Sequence, residues 1–185
     1  MKAVPLSRYI LFFVIVVGGT ALDLATKHWI FAWLGMPSAE RRPSWLWENV
    51  LGLQTSLNEG ALFGMGQGWW PLFAMLSVAA AVFIVWFLFW AGAARQWVMA
   101  VALSSIMGGV LGNLYDRLGL PGLRWTYAGP LHEIGAPVHA VRDWILVMIG
   151  NWPWPNFNVA DSMLVCGAAL LVWHSFWTPK ETQPT

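Results

Sequence analysis

Four stretches of the chain are almost purely apolar, and the polar residues gather between them. The first covers about residues 9–24 and carries no charge over 10–22. The second covers about 69–90, the third about 97–118 and the fourth about 159–177. Each approaches the roughly 20 residues a helix needs to cross the hydrocarbon core of a bilayer. A segment at that depth has no water to satisfy its backbone, so all four are predicted to be helices. Trp69, Trp70, Trp90, Trp97 and Trp177 mark span ends, where aromatic side chains anchor a helix at the interface.

The connections are unequal. Residues 91–96 link the second and third spans tightly, so the two long connections, about 25–68 and 119–158, share the face opposite the termini. In the first, residues 50–57 partly alternate apolar with small or polar positions, as an interfacial strand does. Glycines at 60 and 64 then permit tight turns. The second is rich in Gly, Pro and Trp up to residues 138–149, which are expected to lie along the interface as a short helix. Residues 119–136 are expected to be a surface excursion outside the catalytic machinery. The whole chain, 1–185, reads as a single membrane-embedded domain without internal repeats.

Composition sharpens the membrane reading. The chain is 58% hydrophobic and only 10% charged, where soluble domains carry about 25% charged residues. A net charge of +1 argues against a nucleic-acid partner. The lone Cys166 sits in an apolar run, so no internal disulfide forms, and neither cysteine nor histidine spacing makes a metal site. Lys2 and Arg8 before the first apolar run, with Gly19 and Ala21 near its end, also fit a cleaved signal peptide. Against that reading, the segment continues into Asp23 and Lys27.

Charge then locates the chemistry. Asp23, Glu40, Glu48, Glu59, Asp116, Glu133, Asp143 and Asp161 all fall on the long-loop face, and only Glu181 falls on the other. Basic residues divide four to six between the two faces, which leaves orientation undecided by charge. Ionisable groups at membrane depth read as functional by default. Asp143 and Asp161 each precede or open an apolar segment, and two carboxylates that share a proton can activate water against a peptide bond.

Each motif also has a plainer reading. Asp23 and Lys27 at i,i+4 make a helix-end ion pair. Gly108 and Gly112 make a small-xxx-small packing stripe. Asn113, Asp116 and Arg117 form a polar helix end, and Asn158 with Asp161 fits a capping box. Asp143 beside Arg142 reads as an ordinary exposed acid. A small proton-coupled transporter is the alternative functional class, although one-sided acids and the lack of inverted repeats weigh against it. A non-enzymatic assembly scaffold is a third.

The joint order of the motifs resembles the lipoprotein signal peptidase (signal peptidase II) family of bacterial membrane aspartyl proteases. Asp23-Leu24-Ala25-Thr26-Lys27 is similar to its first motif, and Asn58-Glu59-Gly60-Ala61-Leu62-Phe63-Gly64 to its Asn-x-Gly-x-x-Phe-Gly motif. The run from Gly108 to Arg117 matches Gly-Gly-x-x-Gly-Asn-x-x-Asp-Arg, and Phe157-Asn158-Val159-Ala160-Asp161 matches Phe-Asn-x-Ala-Asp. The resemblance implies an all-α membrane fold of four transmembrane helices, with a small extracytoplasmic β-cradle from the first long loop. It also implies a short interfacial helix before the last span. It places the protein in the bacterial inner membrane, with cytoplasmic termini and an outer-face site. It implies an aspartic endopeptidase that cuts diacylglyceryl-modified prolipoproteins on the amino side of the lipidated cysteine. Prolipoproteins and membrane lipids are then its partners, and no cofactor or metal is needed.

By the same resemblance Asp143 and Asp161 are catalytic, and Asn58, Asn113, Arg117 and Asn158 line the substrate site. Asp23, Lys27, Gly60, Gly108, Gly112 and Asp116 support them. The chain departs from the family pattern at one place. Residues 118–142 separate the Asp-Arg pair from the first catalytic Asp, which sits in Val141-Arg142-Asp143-Trp144 rather than a Val-Val-Asp-Phe-like context. Asp116 is the rival to Asp143, which is preferred because Asp-Trp-Ile keeps the aromatic-apolar continuation.

Overall fold

A computed structural model of the protein describes residues 3–60 and 65–177, the side chain of Trp177 excepted. Residues 61–64 of the second motif, and the anchoring role expected of Trp177, lie outside it. Among the described residues, four helices are long and apolar enough to cross a membrane: α1 (Leu6–Leu34), α2 (Trp70–Val85, continued by a π-helical turn Trp86–Trp90), α3 (Trp97–Arg117) and α4 (Val159–Trp177). Trp69, Trp90 and Trp97 are exposed at the ends of α2 and α3, as anchors should be. The short link between these two helices turns at Gly92, whose φ of 82° lies in the left-handed region that a side chain disfavours.

α3 is the axis of the bundle and packs on α1, α2 and α4. In its most apolar window 61% of residues are buried, against 11–17% in the other three, whose Ile, Val and Phe side chains face outward. Such faces suit lipid, not water. Small residues let α3 approach its neighbours. A Cβ at Gly108 would meet Met163 of α4 at 2.5 Å, and one at Gly109 would strike the Ala160 carbonyl.

α1 runs ten residues past the expected end at 24, to Leu34. The polar residues that lower its hydropathy do not break it, because Asp23 and Lys27 are buried and paired against α3. Ala21, near the alternative cleavage site, is mid-helix.

The extramembrane sheet has four antiparallel strands in the order β1 (Ser44–Trp47), β2 (Leu51–Asn58), β3 (Val141–Ile149) and β4 (Trp152–Pro153). Two expectations are corrected here. The sheet draws strands from both long loops, not the first alone. Residues 138–149 are not a short interfacial helix: 141–149 form β3, paired with β2 on one side and bridged to Phe157 by Ile145. Val141, Ile145, Val147 and Ile149 favour that pleated setting.

The inserted loop lies at the surface as expected, with Trp125 alone buried in 119–136, yet it is internally ordered. Trp125 donates to the Ala136 carbonyl at 3.0 Å, and Gly135 donates back to the Trp125 carbonyl at 2.8 Å. Trp125 is buried with Val138 and Ala140, and Met36 and Leu57 pack against the cluster.

Candidate active site

Three elements converge at the loop end of the bundle. The second half of α1 brings Asp23 and Lys27, the last turns of α3 bring Asn113, Asp116 and Arg117, and the first turn of α4 brings Asp161. The sheet delivers Asp143. In β2 the register slips between Leu53 and Ser56, so Asp143 stands opposite Ser56 just past a bulge, a device that re-aims side chains near active sites. Phe157 fixes the other side. It exchanges backbone hydrogen bonds with Ile145 at 2.8 and 3.2 Å and accepts one from Trp144 at 3.0 Å. The residue after it, Asn158, is thereby set beside Asp143.

Asn158 joins the two acids. Its side-chain amide donates to Asp143 Oδ1 at 2.7 Å, to Asn113 Oδ1 at 3.2 Å and to the Arg142 carbonyl at 3.4 Å. Its Oδ1 accepts the Asp161 backbone N–H at 2.9 Å, while Asp161 Oδ2 accepts the Asn158 N–H at 3.2 Å. That exchange is a capping box, so the plainer reading of this motif describes real geometry. The same residue also links Asp143 to the helix that carries Asp161. Asn113 completes the link by donating to Asp161 Oδ1 at 2.8 Å.

Beneath the acids lies a closed ionic cluster. Lys27 Nζ meets Asp23 at 2.7 Å, Asp116 at 3.0 Å and Asn113 Oδ1 at 3.0 Å, and it is completely buried. Asp116 also takes two side-chain contacts from Arg142 at 2.8 Å and the Arg142 backbone N–H at 3.1 Å. Asp23 Oδ1 accepts the Ala160 N–H at 2.9 Å and so satisfies a second free donor at the start of α4. Gly112 is required where it stands, because a Cβ there would fall on the Asp23 carboxylate. Arg117 has a different setting. Its guanidinium reaches the Gly60 carbonyl at 3.4 Å and lies over the Phe73 ring, with its charge acting on Asp161 and Asp143.

Asp143 faces a groove of about 1000 Å³ whose lining includes Asn58, Gln54 and Thr55. Asn58 closes a turn by accepting the Gly60 N–H at 3.0 Å. Although 2% exposed overall, Asp143 reaches this open space, whereas Asp116 is sealed at 0% among its cations. Burial pushes the Asp143 carboxyl well above the ordinary carboxylate range, and the nearby charge of Asp161 adds to the effect. The structure thus gathers Asp23, Lys27, Asn113, Asp116, Arg117, Asp143, Asn158 and Asp161 around one centre, puts Asn58 in the groove wall and sets the Gly60 carbonyl against Arg117. Sequence reasoning did not find Thr126 and Tyr127 of the inserted loop, which also line the groove.

Known proteins resemble this chain over most of its length. Residues 14–177 match the family described as signal peptidase (SPase) II. The lipoprotein signal peptidase of Rhodopirellula baltica is 44% identical over 94% of this chain and 75% of its own length. The lipoprotein signal peptidase of Polynucleobacter necessarius is 33% identical over 94% of this chain and 91% of its own. A solved bacterial membrane enzyme, determined in meso at 2.3 Å, superposes with a TM-score of 0.72 at 25% identity, covering 94% of both chains.

Proposed function

The chain belongs to the signal peptidase II family and is a multi-pass bacterial membrane protease; from that premise we propose that it removes signal peptides from prolipoproteins by aspartyl catalysis at Asp143 and Asp161. The observation that carries this reading is the pair of acids joined through Asn158 and Asn113, one of them opening on a groove at the end of the bundle.

Two neighbouring carboxylates do not both ionise cheaply, so the pair holds one proton between them. The ionised member takes a proton from a water molecule, whose oxygen attacks the scissile carbonyl carbon. The protonated member donates to the carbonyl oxygen. The tetrahedral carbon then expels the amide nitrogen, which leaves as an amine after taking a proton back from the pair. Arg117, beside both acids, stabilises the oxygen as it gains charge. Asp116 is supported as a structural residue rather than the second acid, because Lys27 and Arg142 already occupy it.

The substrate of this reading is a prolipoprotein whose cysteine carries diacylglycerol, cut on the amino side of that cysteine. Apolar helix faces run up to the site, so acyl chains can remain in lipid while the scissile bond meets the acids. The site opens on the outer face and both termini are cytoplasmic, an orientation that rests on the family resemblance, since charge leaves it undecided. Purified protein in detergent should cleave a lipidated prolipoprotein and leave its unlipidated counterpart intact. Equal rates on the two would overturn the substrate assignment, and no cleavage of either would overturn the activity.

A further inference from the structure

We infer that the inserted loop is a specificity wall, in which Thr126 and Tyr127 read the polar residues following the lipidated cysteine of the substrate; this rests on the reading above.

The groove is the starting point. Its volume of about 1000 Å³ is at the upper end of the roughly 300–1,000 Å³ that small-molecule sites occupy. It therefore admits several residues of peptide beyond the scissile bond. Its lining is mixed: uncharged polar side chains, Ser38, Gln54, Thr55, Gln67 and Asn156 among them, stand beside Pro37, Ala39, Leu57 and Pro155. The outward faces of α1, α2 and α4 are almost wholly apolar, and so suit the signal segment and the acyl chains better than this mixed groove does. The part of the substrate that matches the groove is the polar chain on the carboxyl side of the cysteine.

The loop is built to hold its two residues still. Trp125, next to Thr126, is 4% exposed, and its ring stacks on His132 with centroids 3.5 Å apart. Tyr127 packs edge-on against both rings, at 5.2 Å and 5.5 Å. Gly129 donates to the His132 carbonyl at 2.9 Å and closes the tip. His132 Nε2 lies 3.5 Å from Glu59, which ties the loop to the end of β2 on the groove's other side. Partial burial and the Glu59 charge push the Tyr127 hydroxyl above its ordinary value, so it stays a neutral hydrogen-bond donor. The two walls are thus held together by contacts separate from the Asn158 assembly.

The test uses two lipidated peptides with the same signal segment. One ends at the modified cysteine as a carboxamide, and the other continues with a short polar extension. For Tyr127→Ala, the ratio of kcat/KM on the extended peptide to that on the truncated one should fall about tenfold, in the range that loss of pocket contacts produces. Tyr127→Phe, which keeps the ring, separates the hydroxyl from the aromatic wall. An unchanged ratio in Tyr127→Ala, whether both rates fall together or neither falls, overturns the inference. If Tyr127→Ala unfolds early, Thr126→Ala keeps the aromatic cluster and decides by the same ratio. Failure of the parent enzyme on both peptides would instead strike the proposed activity.

Discussion

Two groups of charges lie against each other at the end of this bundle, and they are treated in opposite ways. In the lower group, Asp23, Lys27, Asp116 and Arg142 are at most 4% exposed, and acids and bases are matched two against two. In the upper group, Asp143 receives amide donors from Asn158, Asp161 receives them from Asn113 and Asn158, and Arg117 stands nearby. The lower group is complete without a proton or a ligand. The upper group has one cation for two acids, so charge balance calls for one proton. On the proposed mechanism, reactivity follows from that shortfall and from the groove, not from the number of acids, since both groups contain two.

The largest effect should come from breaking the upper pair. Asp143→Asn and Asp161→Asn should each reduce cleavage of a lipidated substrate by about 100- to 10,000-fold or more, because an amide cannot cycle a proton. Both variants should still insert and unfold cooperatively in detergent. Near-normal turnover by either removes that residue from the dyad.

Breaking the lower group should act on the fold instead. Lys27→Met strands Asp23 in a buried setting and leaves Asp116 with Arg142 alone, and loss of one partner from a buried ion pair costs about 3–5 kcal/mol. Thermal unfolding in detergent should show the loss. A Lys27→Met protein with normal stability but no activity would move Lys27 into the catalytic group.

Asn158 is both a helix cap and the link between the acids, which makes it the sharpest single probe. As a helix cap its loss costs about 1 kcal/mol. As the link between the acids its loss should lower turnover well beyond what the shift in melting temperature accounts for. Activity that merely follows stability in Asn158→Ala would reduce the residue to its capping role.

The smallest effect concerns pH. With its carboxyl raised by burial, folded Asp143 keeps a proton that the unfolded chain releases at lower pH. The resulting stability is full below the ordinary carboxylate range and is lost as pH rises through the raised value. Asp143→Asn has no such loss. Its melting temperature relative to the parent should therefore climb with pH, and a difference that is flat with pH would contradict a raised carboxyl.

Much of this was legible in the sequence. α2, α3 and α4 announce themselves as apolar runs, and the order of the polar motifs points to one centre. The end of α1 was not legible because hydropathy counts Asp23 and Lys27 as costs, whereas Asp116 and Asn113, far along the chain, neutralise them. β3 was misread because a short apolar run does not reveal its period, and only pairing with β2 decides it. The inserted loop was rightly read from its Gly and Pro content as surface, but its internal order was not legible. Its order comes from Trp125 stacking on His132 and from His132 meeting Glu59, contacts that no local pattern records.

The hydrogen bond from Ala160 to Asp23 joins the first membrane helix to the last across 137 residues. That gives the protein a timetable. While the ribosome is still making it, a chain lacking α4 has neither Asp161 nor Asn158 and leaves Asp23 without its Ala160 partner, although three of its four spans are already in the bilayer. On the proposed mechanism the chain stays inert until its last helix docks, because that event assembles the acid pair.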